Sequence, residues 1–172
     1  IDLARAAADR LAIAPRLELV EKYDAWCKGE ATADEVKTLA GRYAKVAKAM
    51  ADLLELSTDF SLWESYERLD RIEKIRNPDF EHVLVDNASC GYCRSHQYEC
   101  ARYWYQPAMR DLADAIGAKI AANDRTQLGA KKVFRRDYHA ELLTRPLMEM
   151  RPTLPRTPES FSQTMRTLAE MK

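Results

Sequence analysis

The chain has 172 residues, 47% of them hydrophobic, with 27 basic and 27 acidic side chains and no net charge. That length suits one domain with a full core, and the even charge balance speaks against an electrostatic nucleic-acid binder, leaving only a local patch for that role. Five glycines are too few for a turn-rich β fold or a phosphate-cradling loop protein, whereas the wealth of Ala, Leu, Glu, Lys and Arg points to an all-α domain.

No apolar run approaches the length that crosses a bilayer, and no signal-peptide core is visible, so no membrane partner is expected. A start at Ile1 rather than Met fits a processed protein or a piece of a longer one, and the compartment is left open.

Residues 2–14 read as a helix with Leu3, Ala7 and Leu11 on one face. Pro15 either starts a second helix or kinks a single long one. Residues 16–28 follow with Leu17, Val20, Tyr23 and Cys27 as an apolar stripe, and Gly29 is a natural stop. Thr32 and Glu35 form a capping box for the clearest helix, 33–56, with Val36, Leu39, Tyr43, Val46, Met50 and Leu53 on its apolar face.

Ser61 and Glu64 form a second capping box, ahead of a helix over 62–76 that turns Leu62, Tyr66, Leu69 and Ile72 inward. Asn77-Pro78-Asp79 ends it, and Phe80 to Val85 fits a short helix or an extended run. A helix is predicted over 89–106, with Cys93, Gln97, Cys100 and Trp104 near one side. Pro107 kinks or restarts it, and residues 108–122 continue with Leu112, Ile116 and Ile120.

Residues 130–144 read as a helix with Val133, Phe134, Tyr138 and Leu142 as its apolar side. Lys131, Lys132, Arg135 and Arg136 make a basic patch there, most simply a solvated face, with phosphate or partner binding as the alternative. Pro146, Pro152, Pro155 and Pro158 suit an extended connector. Thr157 can cap a last helix with Pro158 at its first position, whose Phe161, Met165 and Leu168, with Met171 as a candidate fourth, dock on the body or on a partner. The expected architecture is an orthogonal or irregular bundle of six or seven helices, divided into a helical domain (1–145), a Pro-rich connector (146–157) and a C-terminal docking helix (158–172).

The chemically densest stretch is 87–105, where three of the four cysteines fall within eleven residues. Cys90, Cys93, His96 and Cys100 offer three thiols and one imidazole, a set that zinc accepts. Structural zinc sites usually draw ligand pairs from two separate elements, which makes four ligands on one helix awkward. Cys90 and Cys93 also form a CxxC pair which, at a helix N-terminus, would favour thiolate chemistry with His96 as proton shuttle. Plain burial is the leading reading of the cluster, since cysteine and aromatic neighbours suit a core. Cys27 is most simply a buried core thiol. No serine-nucleophile motif, phosphate loop or HExxH is present, and no cofactor is expected.

Two resemblances add expectations. Cys90-x-x-Cys93 followed by His96 resembles the alkylhydroperoxidase D-like family of helical thiol oxidoreductases, which implies Cys90, Cys93 and His96 as catalytic residues. That family sets its histidine four residues after the second cysteine, and here the interval is three. The N-terminal half, through Ile1-Asp2-Leu3-Ala4-Arg5, Tyr23, Gly29-Glu30, Leu53-Leu54-Glu55-Leu56 and Asp59-Phe60-Ser61-Leu62-Trp63, resembles the C-terminal all-helical region of alpha-N-acetylglucosaminidase-like glycoside hydrolases. Ala101-Arg102-x-Trp104-Tyr105 is similar to the aromatic-rich later helices of that region.

This second resemblance implies an accessory helical domain or fragment that packs on a catalytic domain or partner subunit and contacts a glycan. Tyr98, Arg102 and Trp104 are then the expected substrate-binding side chains. A non-enzymatic interaction protein, docking through the connector and last helix, is the third expectation. Whether the chain is an enzyme is left open.

Overall fold

The computed structural model describes residues 2–73, 78–91, 97–129 and 133–170, and within 2–12 and at 73, 78 and 79 the described side chains are those of residues 4–6. The expectations for Leu3, Ala7 and Leu11, for Asn77, for Cys93 and His96, for Lys131 and Lys132, and for Met171 lie outside the described residues. The described chain is all-helical, with eight helices and no strand among those residues.

One long helix, α1 (Asp2–Lys28), continues through Pro15. Its buried face is Pro15, Leu19, Tyr23 and Trp26. Of the expected stripe Tyr23 is buried and Cys27 partly so, whereas Leu17 and Val20 face outward, because Leu19 and Trp26 share with Tyr23 the side facing the next helix. Gly29 ends α1 in the left-handed region (φ 84°), where the N–H of Glu30 reaches back to the carbonyl of Ala25 at 2.8 Å.

Helix α2 (Ala33–Glu55) starts with the Thr32–Glu35 capping box in both directions. It is the central rod, packed against α1, α6 (Gln106–Ala121) and α8 (Pro158–Ala169). Val36, Ala40 and Tyr43 join Leu19, Trp26, Ile116 and Ile120 in one core cluster, while Ala49 and Leu53 meet Leu168 in another.

Helix α3 (Leu62–Glu73) buries Leu62 and Tyr66, whereas Ile72 is 74% exposed, against expectation. Its N-terminus shows why local capping logic goes only halfway. Ser61 Oγ does accept from the N–H of Glu64 at 3.3 Å, but Glu64 reaches away to Arg156 at 2.7 Å. Glu99, fully buried and far off in sequence, closes the cap instead. Its carboxylate accepts from Ser61 Oγ (2.8 Å), Leu62 N–H (2.9 Å) and Trp63 N–H (3.0 Å). Burial pushes the Glu99 carboxyl above the usual carboxylate range, against the pull of those donors.

Pro78 opens α4 (Pro78–Cys90), which makes Phe80–Val85 helical and places Ser89 and Cys90 at a helix end rather than at the start of the expected 89–106 helix. An added Cβ on Gly91 would come within 2.9 Å of the Asn87 carbonyl, so the chain leaves α4 through the one residue that fits there.

The short α5 (Tyr98–Cys100) runs into a π turn over Ala101–Tyr105 and on into α6. Pro107 lacks an N–H and would crowd the carbonyl four residues back; the wider turn just before it absorbs that mismatch.

The predicted 130–144 helix is shorter than expected. Asp137 caps α7 (Tyr138–Thr144) by accepting from the N–H of Ala140 at 3.0 Å, and Phe134 lies ahead of it, exposed. The connector packs tightly: a single 3-10 turn over Leu147–Met150 buries both of its end residues completely. Thr157 and Pro158 begin α8 as expected, and Phe161, Met165 and Leu168 pack on α2 of this same chain.

Glu99→Gln replaces one acceptor oxygen by a donor among three donors at nearly constant volume. The expected result is a loss of about 2 kcal/mol in urea unfolding at neutral pH with an unchanged m-value; an unaltered midpoint would show that the cap does not depend on Glu99.

Candidate functional site

The residues expected to act together in the 90s are spread by the fold. Cys90 is an exposed thiol at the last position of α4. A helix C-terminus presents carbonyls, not the unpaired N–H groups on which the dithiol reading relies, and the Asp86 carboxylate lies 3.8 Å from the sulfur. Cys100 is wholly buried among Leu62, Tyr66, Val85, Leu142, Leu147 and Met150. Among the described residues no group of three or more His, Cys, Asp or Glu is placed to hold a metal ion. The zinc and thiol readings both also require Cys93 and His96, outside the described residues.

The three expected glycan contacts part company as well. Tyr98 is 2% exposed and packs in the core with Ala51, Leu54 and Ala101, which corrects its assignment as a surface platform. Arg102 projects from the π turn into a carboxylate pair, 2.6 Å from Asp52 Oδ1 and 2.6 Å from Glu55 Oε2, with Gln106 at 3.0 Å. Trp104, on the other side of the turn, stacks with Tyr105 (centroids 4.7 Å apart) and with His139 (4.4 Å). Arg102 and Trp104 thus line cavities on either side of the π turn, and Tyr98 lines neither.

The first cavity is an open cleft of about 540 Å³ between α2, the π turn with the start of α6, and the α7 region. Six cationic side chains line it: Lys45 and Lys48 from α2, Arg102, Arg110 from α6, Arg136 and Arg145. Glu141 is the one acidic side chain on the lining among the described residues.

Their charges are not equally spent. Lys48 pairs with Asp52 at 2.5 Å, and Arg102 with Asp52 and Glu55. Arg136 and Arg145 have only looser pairings, with Glu141 at 3.7 Å and Glu149 at 3.6 Å. Lys45 and Arg110 are both exposed and form no ion pair among the described residues. Tyr103 and Tyr138 stand on the walls. Arg145 lies over the Tyr103 ring at 5.1 Å, and Tyr138 donates to Asp111 Oδ2 at 2.7 Å.

Two buried carboxylates underlie the cleft. Asp111 accepts from the Arg135 N–H at 2.8 Å as well as from Tyr138. Burial acts to raise its carboxyl, but those bonds and the charges of Arg135 and Arg110 outweigh burial and hold it below the usual range.

Glu55 is 1% exposed and accepts from Thr153 N–H (2.5 Å), Thr153 Oγ1 (3.1 Å) and Leu154 N–H (2.9 Å) besides Arg102. Burial again opposes ionisation, and the two connector N–H groups and Arg102 overcome it, so its carboxyl also titrates low. Asp52 and Glu55 together hold the Arg102 guanidinium above its ordinary value, against the effect of burial.

The second cavity, a notch of about 370 Å³, adjoins the first and shares Arg136 and Tyr138 with it. Trp104, Phe134 and His139 supply its rings. His139 is held in place. Ser89 Oγ lies 3.0 Å from both the Asp86 carbonyl and His139 Nε2 and hydrogen-bonds the imidazole to the end of α4. That bond fixes the orientation of the ring against Trp104.

The sequence offered two signs of this site, the basic run that includes Arg136 and the aromatic run that singles out Arg102 and Trp104. Its other cations come from segments that are ordinary amphipathic helices when read alone, and no local pattern marks them. No protein-family model, curated protein or solved structure matches the chain significantly. No helix among the described residues is long and apolar enough to cross a membrane.

Glu55 yields a signed pH dependence. Its folded carboxyl lies below the ordinary value of 4.5, so its contribution to stability is fully present above that value and is lost as pH falls through the folded one. Glu99, shifted upward, works in the opposite sense, so the difference between wild type and Glu55→Gln isolates Glu55. That difference should shrink as urea unfolding is repeated from about pH 6 to about pH 3; a constant difference would count against an ionised Glu55 as the tie.

Proposed function

We propose that this chain is a binding domain for a ligand carrying several anionic groups, taken up in the cleft between α2, α6 and α7. The observation that carries the reading is the convergence on one concave surface of six cations among the described residues, of which Lys45 and Arg110 form no ion pair there, Arg110 acting on buried Asp111 through its charge. Like charges gathered in a cleft repel one another, and its low-dielectric walls focus their field outward. An anion relieves that repulsion, and Arg110, Arg136 and Arg145 bring planar donor forks suited to phosphate, sulfate or carboxylate oxygens. Lys48 and Arg102, held by Asp52 and Glu55, keep that wall in place while the looser arginines adapt.

The reading does not require a catalytic group. An accessory domain of a carbohydrate-active enzyme would use the same surface for a sulfated or uronic-acid glycan, and the two ideas share the anion-binding step. The thiol-oxidoreductase alternative gains no support from Cys90 at a helix C-terminus beside Asp86. The docking alternative loses the face it needs, since the apolar side of α8 packs on α2.

Calorimetric titration of the full chain with inorganic tripolyphosphate tests the proposal. Binding is expected at low salt, weakening steeply as salt rises. Lys45→Glu and Arg110→Glu should each lower affinity about tenfold, while Lys37→Glu, exposed on α2 and outside the cleft, should leave it unchanged. Absence of binding, or equal losses in all three variants, would overturn the assignment.

A further inference from the structure

Resting on that anion-binding reading, we infer that the ligand joins its phosphates to a flat aromatic ring, in the manner of a nucleoside polyphosphate. The cleft does not end at its cations. Arg136 and Tyr138 also line the neighbouring notch, where Trp104, Phe134 and His139 present rings within one small volume.

Phe134 is the informative member. Its phenyl group is 52% exposed although the core of this chain accommodates other aromatics well. A phenyl ring left half in water beside a partly buried Trp104 supplies an apolar surface whose burial a ligand ring would reward. The imidazole of His139, fixed by Ser89 and stacked on Trp104, makes that wall rigid. Ala108 adds only a methyl group to the lining, which keeps the space open for a planar group.

Charge sorts the two ends of such a ligand. Asp137 lies on the notch, where its carboxylate caps α7 and disfavours a second anion. The cations lie on the cleft side, and Arg136 is at the junction. A ring in the notch with its phosphates in the cleft satisfies both halves; the reverse orientation sets phosphate against Asp137. Each cavity falls in the size range of small-molecule sites, and the shared Arg136 and Tyr138 set them side by side, as a single ligand with two chemically distinct ends requires.

The experiment compares adenosine triphosphate with inorganic tripolyphosphate on the full chain, in chelator and without magnesium. The nucleotide should bind about tenfold more tightly through its stacked ring, and it should alter tryptophan emission where tripolyphosphate does not. Phe134→Ala should bring the ratio of the two affinities close to one.

Equal affinities in the wild type would overturn the ring inference while leaving the anion-binding reading intact, whereas failure of both probes would remove that reading itself. A sulfated disaccharide that displaces the nucleotide at equal charge would overturn the choice of ligand class. So would a single-stranded oligodeoxynucleotide whose affinity grows with length while the mononucleotide stays level with tripolyphosphate.

Discussion

The rest of the structure hangs on the carboxylate of Glu55. It sits at the last position of α2, where the helix dipole disfavours negative charge, and it is almost wholly buried. Such a group is tolerable only when its donors are supplied in full. Here they come from two distant segments, Arg102 on the π turn and the N–H groups of Thr153 and Leu154. The pairing therefore ties the end of the central helix to both the site-forming turn and the proline-bearing connector. Held this way, the connector drives Leu147 and Met150 into the core and delivers α8 back onto α2, with the Arg156–Glu64 pair as a second tie to α3.

The π turn converts that tie into a site. Its five residues lie ahead of Pro107, where a regular helix would crowd the ring against a carbonyl. The wider turn sets Arg102 and Tyr103 toward the cleft and Trp104 toward His139 on α7. One local accommodation to a proline thus separates a cationic wall from an aromatic one within three consecutive residues. Arg102, the side chain that sequence alone suggests as a ligand contact, is chiefly the fastener of this arrangement.

Features encoded by near neighbours were legible in the sequence. The Thr32–Glu35 box, the Thr157–Pro158 start and the apolar face of α2 all depend on residues within one or two turns, and each matches the structure. Legibility ended where a partner comes from elsewhere. Glu64 has the right spacing to complete the cap at Ser61, yet it is taken by Arg156, and Glu99 replaces it across 38 residues. Helix α1 carries two apolar stripes that share Tyr23, Leu17–Val20–Tyr23–Cys27 and Leu19–Tyr23–Trp26. Periodicity cannot choose between them, because the choice is made by what α2 and α6 offer in return. Cys90 and Cys100 read as neighbours on one helix but belong to different elements, since Gly91 ends α4 between them.

Net charge misleads for a related physical reason. An equal count of acids and bases suggests an electrostatically neutral molecule, but a field depends on where the charges lie. In this fold Glu55 and Asp111 are buried and Asp52 largely so, and each is matched by hydrogen bonds or ion pairs, Asp52 by both Lys48 and Arg102. Lys45, Arg110, Arg136 and Arg145 stay on the rim, where among the described residues Glu141 and Glu149 pair with Arg136 and Arg145 at long range and neither Lys45 nor Arg110 forms an ion pair. Sinking the acids stabilises the scaffold and at the same time leaves its concave face positive. The interactions that hold the connector and the π turn in place therefore also create the cleft's charge, so structural and binding roles here cannot be assigned to separate sets of residues.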